Sequence, residues 1–364
     1  MTIICTTVLL HIPALAEART FDDFQAHPPI HTLAGISSSP QGLTPKQVKA
    51  AYDLPSTGGG GTIAIIDAFG ESSIQSDLAA FDKEFSVTAC TIANKCLEVH
   101  PLSTATTPRT DDGWAVETAL DVEWAHAIAP KTKILLIEAA GASGTSLLAA
   151  VDYARSRTDV VAVSMSWGGD EFPDETALDS HFRSAHPMAF IASSGDDGTG
   201  ASWPAASPNV IAVGGTSLSL DAKGKFASEK AWNGSGGGVS AYEREPEYQT
   251  GYSITRSGGK RAVPDVSFAA DPTHGFSVYH SKSWYVVGGT SAGAPQWAGI
   301  ASLGAAAKHP LSLTEMYIDK DGTKNSSFFR DIISGKNGSC AYFCTARTRY
   351  DYVTGLGSPL TYKF

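Results

Sequence analysis

The stretch Gly288-Gly289-Thr290-Ser291-Ala292-Gly293-Ala294-Pro295 decides the fold that we predict for this chain. It follows a strand-like run, residues 284–287, and precedes an apolar stretch of good helix formers that begins at Gln296. Strand, sharp turn and helix are how α/β enzymes present a nucleophilic hydroxyl, because the turn exposes the side chain and the helix N-terminus favours developing negative charge. A Gly-rich turn whose Ser291 only caps the helix would fit the same residues.

Short apolar runs recur along the chain and are separated by segments of helical composition. They are Thr62–Asp67, Lys133–Glu138, Val160–Trp167, Met188–Ser193 and Asn209–Val213. Continuous rather than alternating apolar residues indicate strands that are covered on both faces. The sequence therefore predicts an α/β fold, a three-layer sandwich with a mostly parallel central sheet.

Composition excludes some classes of protein and favours export. The net charge of -10 at pH 7 argues against a nucleic-acid partner, which requires a basic face. Residues 1–16 resemble a signal peptide that ends in Ala14-Leu15-Ala16, although no Lys or Arg precedes the apolar run, and we expect a secreted or periplasmic protein. This run is too short for a membrane span, and no later segment is long and apolar enough to be one.

The cysteines agree with export. Once Cys5 is removed with the signal, the four that remain form two close pairs, Cys90 with Cys96 and Cys340 with Cys344. Local disulfides suit an oxidising compartment, and the spacing matches no common zinc pattern.

Two further stretches carry carboxylates. Trp114–Ala129 has helical composition, which Asp111 or Asp112 could cap, and it places Glu117 and Asp121 four residues apart on one face. Such a pair is commonly a solvated acidic face, but the neighbouring residues are apolar, which favours a buried pair. Asp196 follows the run Met188–Ser193 in a Gly-Asp-Asp-Gly sequence that would also suit an ordinary turn.

Together these stretches resemble the sedolisin family, the serine-carboxyl peptidases with a subtilisin-like fold, from about Leu43 to Pro359. The resemblance implies that Ser291 is the nucleophile, Glu117 its base, Asp121 the partner of Glu117, and a protonated Asp196 the oxyanion donor. It also implies that Asp67 supports Glu117 through hydrogen bonds. Four residues would line the substrate cleft: Ser166, Trp167, Gly168 and Gly237.

The C-terminal part resembles the calcium site of that family. Asp331 and Asp351 would supply carboxylates, and Ile332, Arg347 and Arg349 would supply backbone carbonyls to one Ca²⁺ ion. The family usually has glycine where this chain has the two arginines. Two turn aspartates without a metal are the alternative.

The resemblance also implies the domain organisation. Residues 17–42 would be a linker or the remnant of a prosegment, and residues 43–364 the catalytic domain with its C-terminal calcium loop. Family members carry a long folded prosegment, and only 42 residues precede Leu43, so we expect that such a prosegment is absent here.

The function that we expect is acid endopeptidase activity on polypeptides by a monomer. One carboxyl group must be ionised while another is protonated, which predicts activity at roughly pH 3 to 5 and little at neutrality. One alternative is an inactive, peptide-binding homologue without its prosegment. Another is an α/β-hydrolase-type esterase, since Gly289-x-Ser291-x-Gly293 fits its motif and His309 follows the serine.

Overall fold

The structure is a computed structural model that describes residues 20–33, 37–103, 110–317 and 325–364. The predicted signal peptide, residues 1–16, lies outside the described residues. In these ranges the helices are α1 (Pro45–Ala51), α2 (Ile74–Phe85), α3 (Asp112–Ile128), α4 (Gly144–Ser156), α5 (Glu247–Tyr252), α6 (Gly293–Ala306), α7 (Leu313–Met316) and α8 (Asn325–Phe328).

The strands in the same ranges follow in chain order. They are β1 (His31–Thr32), β2 (Thr62–Ala68), β3 (Leu97–Pro101), β4 (Lys133–Ala139), β5 (Val160–Met165), β6 (Gly169–Asp170), β7 (Ala189–Ser193), β8 (Ser202–Trp203), β9 (Ile211–Leu220), β10 (Phe226–Ala231), β11 (Gly238–Arg244), β12 (Lys260–Val263), β13 (Val266–Ala269), β14 (Phe276–His280), β15 (Ser283–Gly288), β16 (Phe329–Arg330) and β17 (Ser358–Pro359).

An eight-stranded sheet forms the middle layer. Seven strands follow the order β10-β9-β7-β5-β2-β4-β3, and β13 also pairs with β9. All of these neighbours are parallel except β10, which is antiparallel to β9. The predicted fold class, with its mostly parallel central sheet, is confirmed.

Strand β2 shows how the sheet separates two cores. Every residue of β2 is buried, and successive side chains point to opposite faces. Ile63 and Ile65 pack in the core that contains α3 and α6, whereas Ala64 and Ile66 pack in the core that contains α4. Helices therefore cover both faces, which explains why the strand is apolar throughout.

The predicted strands lie where the apolar runs indicated, with shifted ends. β5 ends at Met165 rather than Trp167, and β9 continues to Leu220 because its second half pairs with β10. The predicted first helix is α1, which begins at Pro45 and is capped by the Thr44 side chain. Both predicted disulfides are present. Among the described helices none is long and apolar enough to cross a membrane.

One buried ion pair joins β12 to β9. Arg261 on β12 donates two hydrogen bonds to Asp265, of 2.8 Å and 2.6 Å, and neither side chain is exposed. The Asp265 carboxylate also accepts hydrogen bonds from the amide of Ala212 on β9 and from the hydroxyl of Tyr317. The Asp265 carboxylate therefore links β12 and β9 to Tyr317, the residue that follows α7.

We expect the substitution Asp265→Asn to lower the free energy of unfolding by about 3–5 kcal/mol, because it leaves the Arg261 guanidinium buried without its charge partner. Denaturant unfolding at constant m-value measures the loss. The control is Glu98→Gln, which removes one of the two exposed carboxylate partners of Arg157 and should cost less than about 1 kcal/mol. Equal losses in the two variants would contradict the structural role of Asp265.

Candidate active site

Ser291 lies on the turn that joins β15 to α6. A single 3₁₀ turn, Thr290–Ala292, follows Gly289, and α6 begins at Gly293. Gly289 has φ +114°, and a Cβ there would lie 2.2 Å from the carbonyl oxygen of Pro29, so only glycine fits. The turn buries Ser291 completely, and its hydroxyl donates to the carbonyl oxygen of Ser166 over 3.4 Å.

Helix α3 carries the two predicted carboxyl groups to this serine. The Asp111 side chain caps the helix by accepting hydrogen bonds from the amides of Gly113 and Trp114. Glu117 and Asp121 follow on one face, and both are fully buried, so the apolar surroundings that the sequence indicated are present. The structure thus brings Ser291, Glu117 and Asp121 together from elements far apart in the sequence.

Burial dominates the electrostatics of these carboxyl groups. The pKa of Glu117 is raised well above its ordinary value by burial and by the charge of Asp67, while Ser291 and Asp121 lower it. Burial also raises the pKa of Asp121 strongly, with Asp67 and Glu117 adding to the effect. Asp67 has its pKa raised to about 7, mainly by burial. The cluster therefore holds protons that exposed carboxylates would release.

Ser166 and Trp167, which the resemblance placed in the cleft, have buried side chains. The Ser166 hydroxyl donates to Asp121 over 2.8 Å and so orients that carboxyl group. The Trp167 indole donates to the carbonyl oxygen of Ile66 and belongs to the core. Gly237 lies beside the loop at Gly200, whose amide donates to its carbonyl oxygen over 2.8 Å.

Asp196 contacts the turn of Ser291 through Thr290. Its Oδ1 accepts hydrogen bonds from the amide and from the hydroxyl of Thr290, both of 2.8 Å, and His31 Nε2 lies 3.1 Å from its Oδ2. Burial raises the pKa of Asp196, whereas His31 and Thr290 lower it. Thr290 thus positions Asp196, a role that no sequence signal indicated.

The described part of the predicted linker crosses this site. We call residues 20–33 the N-terminal segment. His27 pairs with Gly168 through two antiparallel hydrogen bonds, and the amide of Ser291 donates to the carbonyl oxygen of Pro29 over 3.3 Å. His31 and Thr32 form β1, which pairs with β15. A peptide carbonyl of the chain itself therefore lies against the predicted nucleophile, a contact that no sequence signal indicated.

His309 lies far from the serine. It follows α6, whose 14 residues separate it from the turn of Ser291 by roughly 20 Å at 1.5 Å per residue. His309 is exposed, and its amide donates to the carbonyl oxygen of Gly304. An esterase mechanism that uses His309 as base is therefore excluded by the fold.

The C-terminal loop places each of the two predicted calcium-binding aspartates against the backbone of one arginine. The Asp351 carboxylate accepts hydrogen bonds of 2.9 Å from the amides of Arg347, Val353 and Thr354. Asp331 accepts one of 2.8 Å from the amide of Arg349. Two carboxylates suit a hard cation, but these amides, rather than the carbonyls of the same residues, face the carboxylates. The donor set thus fits calcium in part.

Comparisons with known proteins agree with the geometry. The profile of the subtilase family matches residues 110–317. Sedolisin from Pseudomonas sp. (strain 101) is 29% identical over 90% of this chain, and kumamolisin from Bacillus sp. (strain MN-32) is 32% identical over 89%. The chain spans 61% and 63% of the lengths of these two relatives.

A solved structure is also similar. It is Pseudomonas sedolisin, described as a serine-carboxyl proteinase complexed with two molecules of pseudo-iodotyrostatin, with a TM-score of 0.75 and 29% identity. The match covers 88% of this chain and 96% of that one.

The contact between His31 and Asp196 predicts a measurable titration. The pKa of His31 is raised, mainly by its hydrogen bond to Asp196. The charged pair therefore exists below the pKa of His31 and above that of Asp196. In the variant Asp196→Asn, NMR titration should find the pKa of His31 lowered toward 6.5. His280, whose pKa Asp77 raises, is the control and should not change; an unchanged His31 would contradict the contact.

Proposed function

The chain belongs to the subtilase family, in its sedolisin branch, and on that premise we propose that it hydrolyses peptide bonds in acid. One observation carries the proposal. The carbonyl group of Pro29 accepts a hydrogen bond from the amide of the buried Ser291, and both that carbonyl oxygen and Asp196 lie against Gly289. This is where a substrate carbonyl would lie between a nucleophile and an oxyanion donor.

The proposed mechanism begins with proton transfer inside the buried cluster. Glu117 takes the proton of the Ser291 hydroxyl as the oxygen attacks the substrate carbonyl, and later returns it to the leaving amine. Asp121, held by Ser166, orients Glu117 and shares its proton. Water then hydrolyses the acyl-enzyme by the same steps in reverse. The Ser291 hydroxyl must first turn from the carbonyl oxygen of Ser166 to the carboxyl group of Glu117. The two groups are close enough that the hydroxyl lowers the pKa of Glu117.

Asp196 stabilises the developing oxyanion in this proposal. An ionised carboxylate would repel the oxyanion, so Asp196 must be protonated to donate a hydrogen bond. Burial favours the neutral acid, and Thr290 holds the group at the turn. The charged His31 opposes protonation as long as the N-terminal segment is in place.

These roles set the direction of the pH dependence. The Glu117–Asp121 pair must have lost one proton before Glu117 can act as base, and the raised pKa of each group moves this acid limb of the rate to higher pH. Asp196 must keep its proton, which limits the rate as pH rises through its pKa. We therefore infer activity in mild acid and a loss toward neutrality.

We also propose calcium binding and an extracellular location. Asp331 and Asp351 would hold the ion through their carboxylates, and Ile332, Arg347 and Arg349 through backbone carbonyls. Bound calcium would stabilise the C-terminal loop. The two disulfides suit a protein that functions in an oxidising compartment.

We expect casein hydrolysis, followed from about pH 2 to 9, to be fastest at roughly pH 3 to 5. Ser291→Ala should lower the rate about 10⁴-fold or more, because it removes the nucleophile. Asp196→Ala should lower it about 10²- to 10³-fold, because the oxyanion loses one donor.

The matched controls for this experiment are Ser76→Ala and Glu84→Gln on the exposed side of α2. They should keep the wild-type rate, whereas Glu117→Gln should be as inactive as Ser291→Ala. A maximum near pH 8, or an active Ser291→Ala variant, would contradict the carboxyl mechanism. Folded protein without hydrolysis at any pH would contradict the enzyme itself.

Calcium should raise the melting temperature, because a ligand that binds only the folded state stabilises it by about 2.7 kcal/mol at a hundredfold excess over its dissociation constant. Scanning fluorimetry with calcium and with a chelator measures the shift. Asp351→Asn should abolish it, whereas Asp221→Asn in an exposed turn should keep it. No shift in the wild-type protein would contradict the calcium proposal.

A further inference from the structure

Two phenylalanines of the N-terminal segment fill an aromatic pocket, which we define by Phe172, Phe182 and Trp203. The Phe24 ring lies 4.9 Å from Trp203 in an edge-on arrangement and 5.7 Å from Phe172. Phe21 contacts the same two rings at 6.1 Å and 5.8 Å. Phe24 is only 6% exposed, so the pocket removes its ring almost entirely from water.

The walls of the aromatic pocket are fixed by contacts that do not involve the segment. Trp203 belongs to β8, which pairs with β6 through Gly169. Its ring also contacts Trp167 at 6.0 Å and Phe182 at 5.8 Å. The amide of Phe172 donates to the buried Glu175. The pocket is therefore built by the catalytic domain.

Two glycines leave room for the rings. A Cβ on Gly169 would lie 2.8 Å from the Phe24 ring, and its three nearest neighbours would all be atoms of the segment. A Cβ on Gly144 would lie 2.4 Å from the Phe21 ring, and again the three nearest atoms belong to the segment. Both glycines thus accommodate the occupant of the pocket.

The aromatic pocket extends the cleft along the path of the N-terminal segment. From Pro29 at the nucleophile, the segment passes His27, which pairs with Gly168, and Ala26, whose amide donates to Ala142 over 2.9 Å. It reaches the pocket at Phe24, five residues before Pro29. Gly168 holds the backbone and Gly169 borders the pocket, so a substrate that binds the cleft by its backbone would follow the same path.

We propose that the aromatic pocket is a distal substrate subsite, which selects polypeptides with an aromatic residue five positions before the residue whose carbonyl is attacked. The inference rests on the proposed peptidase function and adds a substrate class to it. Phe24 occupies the subsite from within the chain. A substrate ring would bury the same apolar surface there, and this binding at a distance from the reacting bond would promote its cleavage.

The test uses the full-length protein at the pH of its fastest casein hydrolysis. One peptide copies residues 22–33 with leucine in place of Pro29, a second also carries alanine in place of Phe24, and a third has the phenylalanine moved to the position of Gln25. Cleavage after the leucine that replaces Pro29 is followed by mass spectrometry. We expect kcat/KM to be at least about tenfold higher for the first peptide than for the other two, because shifting an extended chain by one residue turns the ring to the opposite face.

Variants of the pocket complete the test. Gly169→Ala should reduce the ratio between the first two peptides to about one, since its methyl group would take the space of the ring. Gly251→Ala is the control, because a Cβ there would meet nothing within 4 Å, and it should keep the wild-type ratio. Equal hydrolysis of all three peptides by wild-type protein that cleaves casein would overturn the subsite. No hydrolysis of casein or of any peptide would instead overturn the peptidase function on which it rests.

Discussion

Three carboxyl groups buried between a helix and the central sheet are the constraint on which this site depends. Among the described residues no cation is paired with Asp67, Glu117 or Asp121, whose hydrogen-bond partners are hydroxyl and carboxyl groups such as those of Thr118, Ser166 and Ser291. Removal from water without a paired cation disfavours the charged form, so these groups hold protons. Asp265 is buried as deeply, but two hydrogen bonds from Arg261 compensate its charge. The same fold thus uses a carboxylate with a paired cation to fix strands, and carboxyl groups without one in the site that we propose to be catalytic.

The parts of the site that the sequence predicted are those whose signals are local. A strand, two glycines and a helix former place Ser291 on its turn whatever surrounds it, and the four-residue spacing places Glu117 and Asp121 on one helical face. Periodicity alone could not show that this helix is buried on all sides from Glu117 to Ile128. Its hydrophobic side chains occur all around it, which is typical of a helix enclosed between layers.

The N-terminal segment escaped prediction because its contacts are nonlocal and those in the cleft are made largely by the backbone. Isolated bridges at Gln25 and His27 and the two residues of β1 leave no apolar periodicity, and Pro28 and Pro29 are typical of a linker. Hydrogen bonds from the main chain are available to any sequence, so composition cannot reveal them. The contacts of Thr290 with Asp196 escaped for the related reason that two distant turns meet there.

The two prolines suit the path through the cleft for a physical reason. His27 uses both its amide and its carbonyl group against Gly168, whereas Pro28 and Pro29 have no N–H that could remain unpaired beside the nucleophile. Their rings fix φ, so the segment loses less conformational entropy when it lies extended. Because the segment belongs to the same chain, its effective concentration at the cleft is of the order of millimolar, far above that of a dilute substrate. In the function that we propose, access of other polypeptides to Ser291 therefore depends on how firmly Phe24 and His31 anchor the segment, and not only on the catalytic groups.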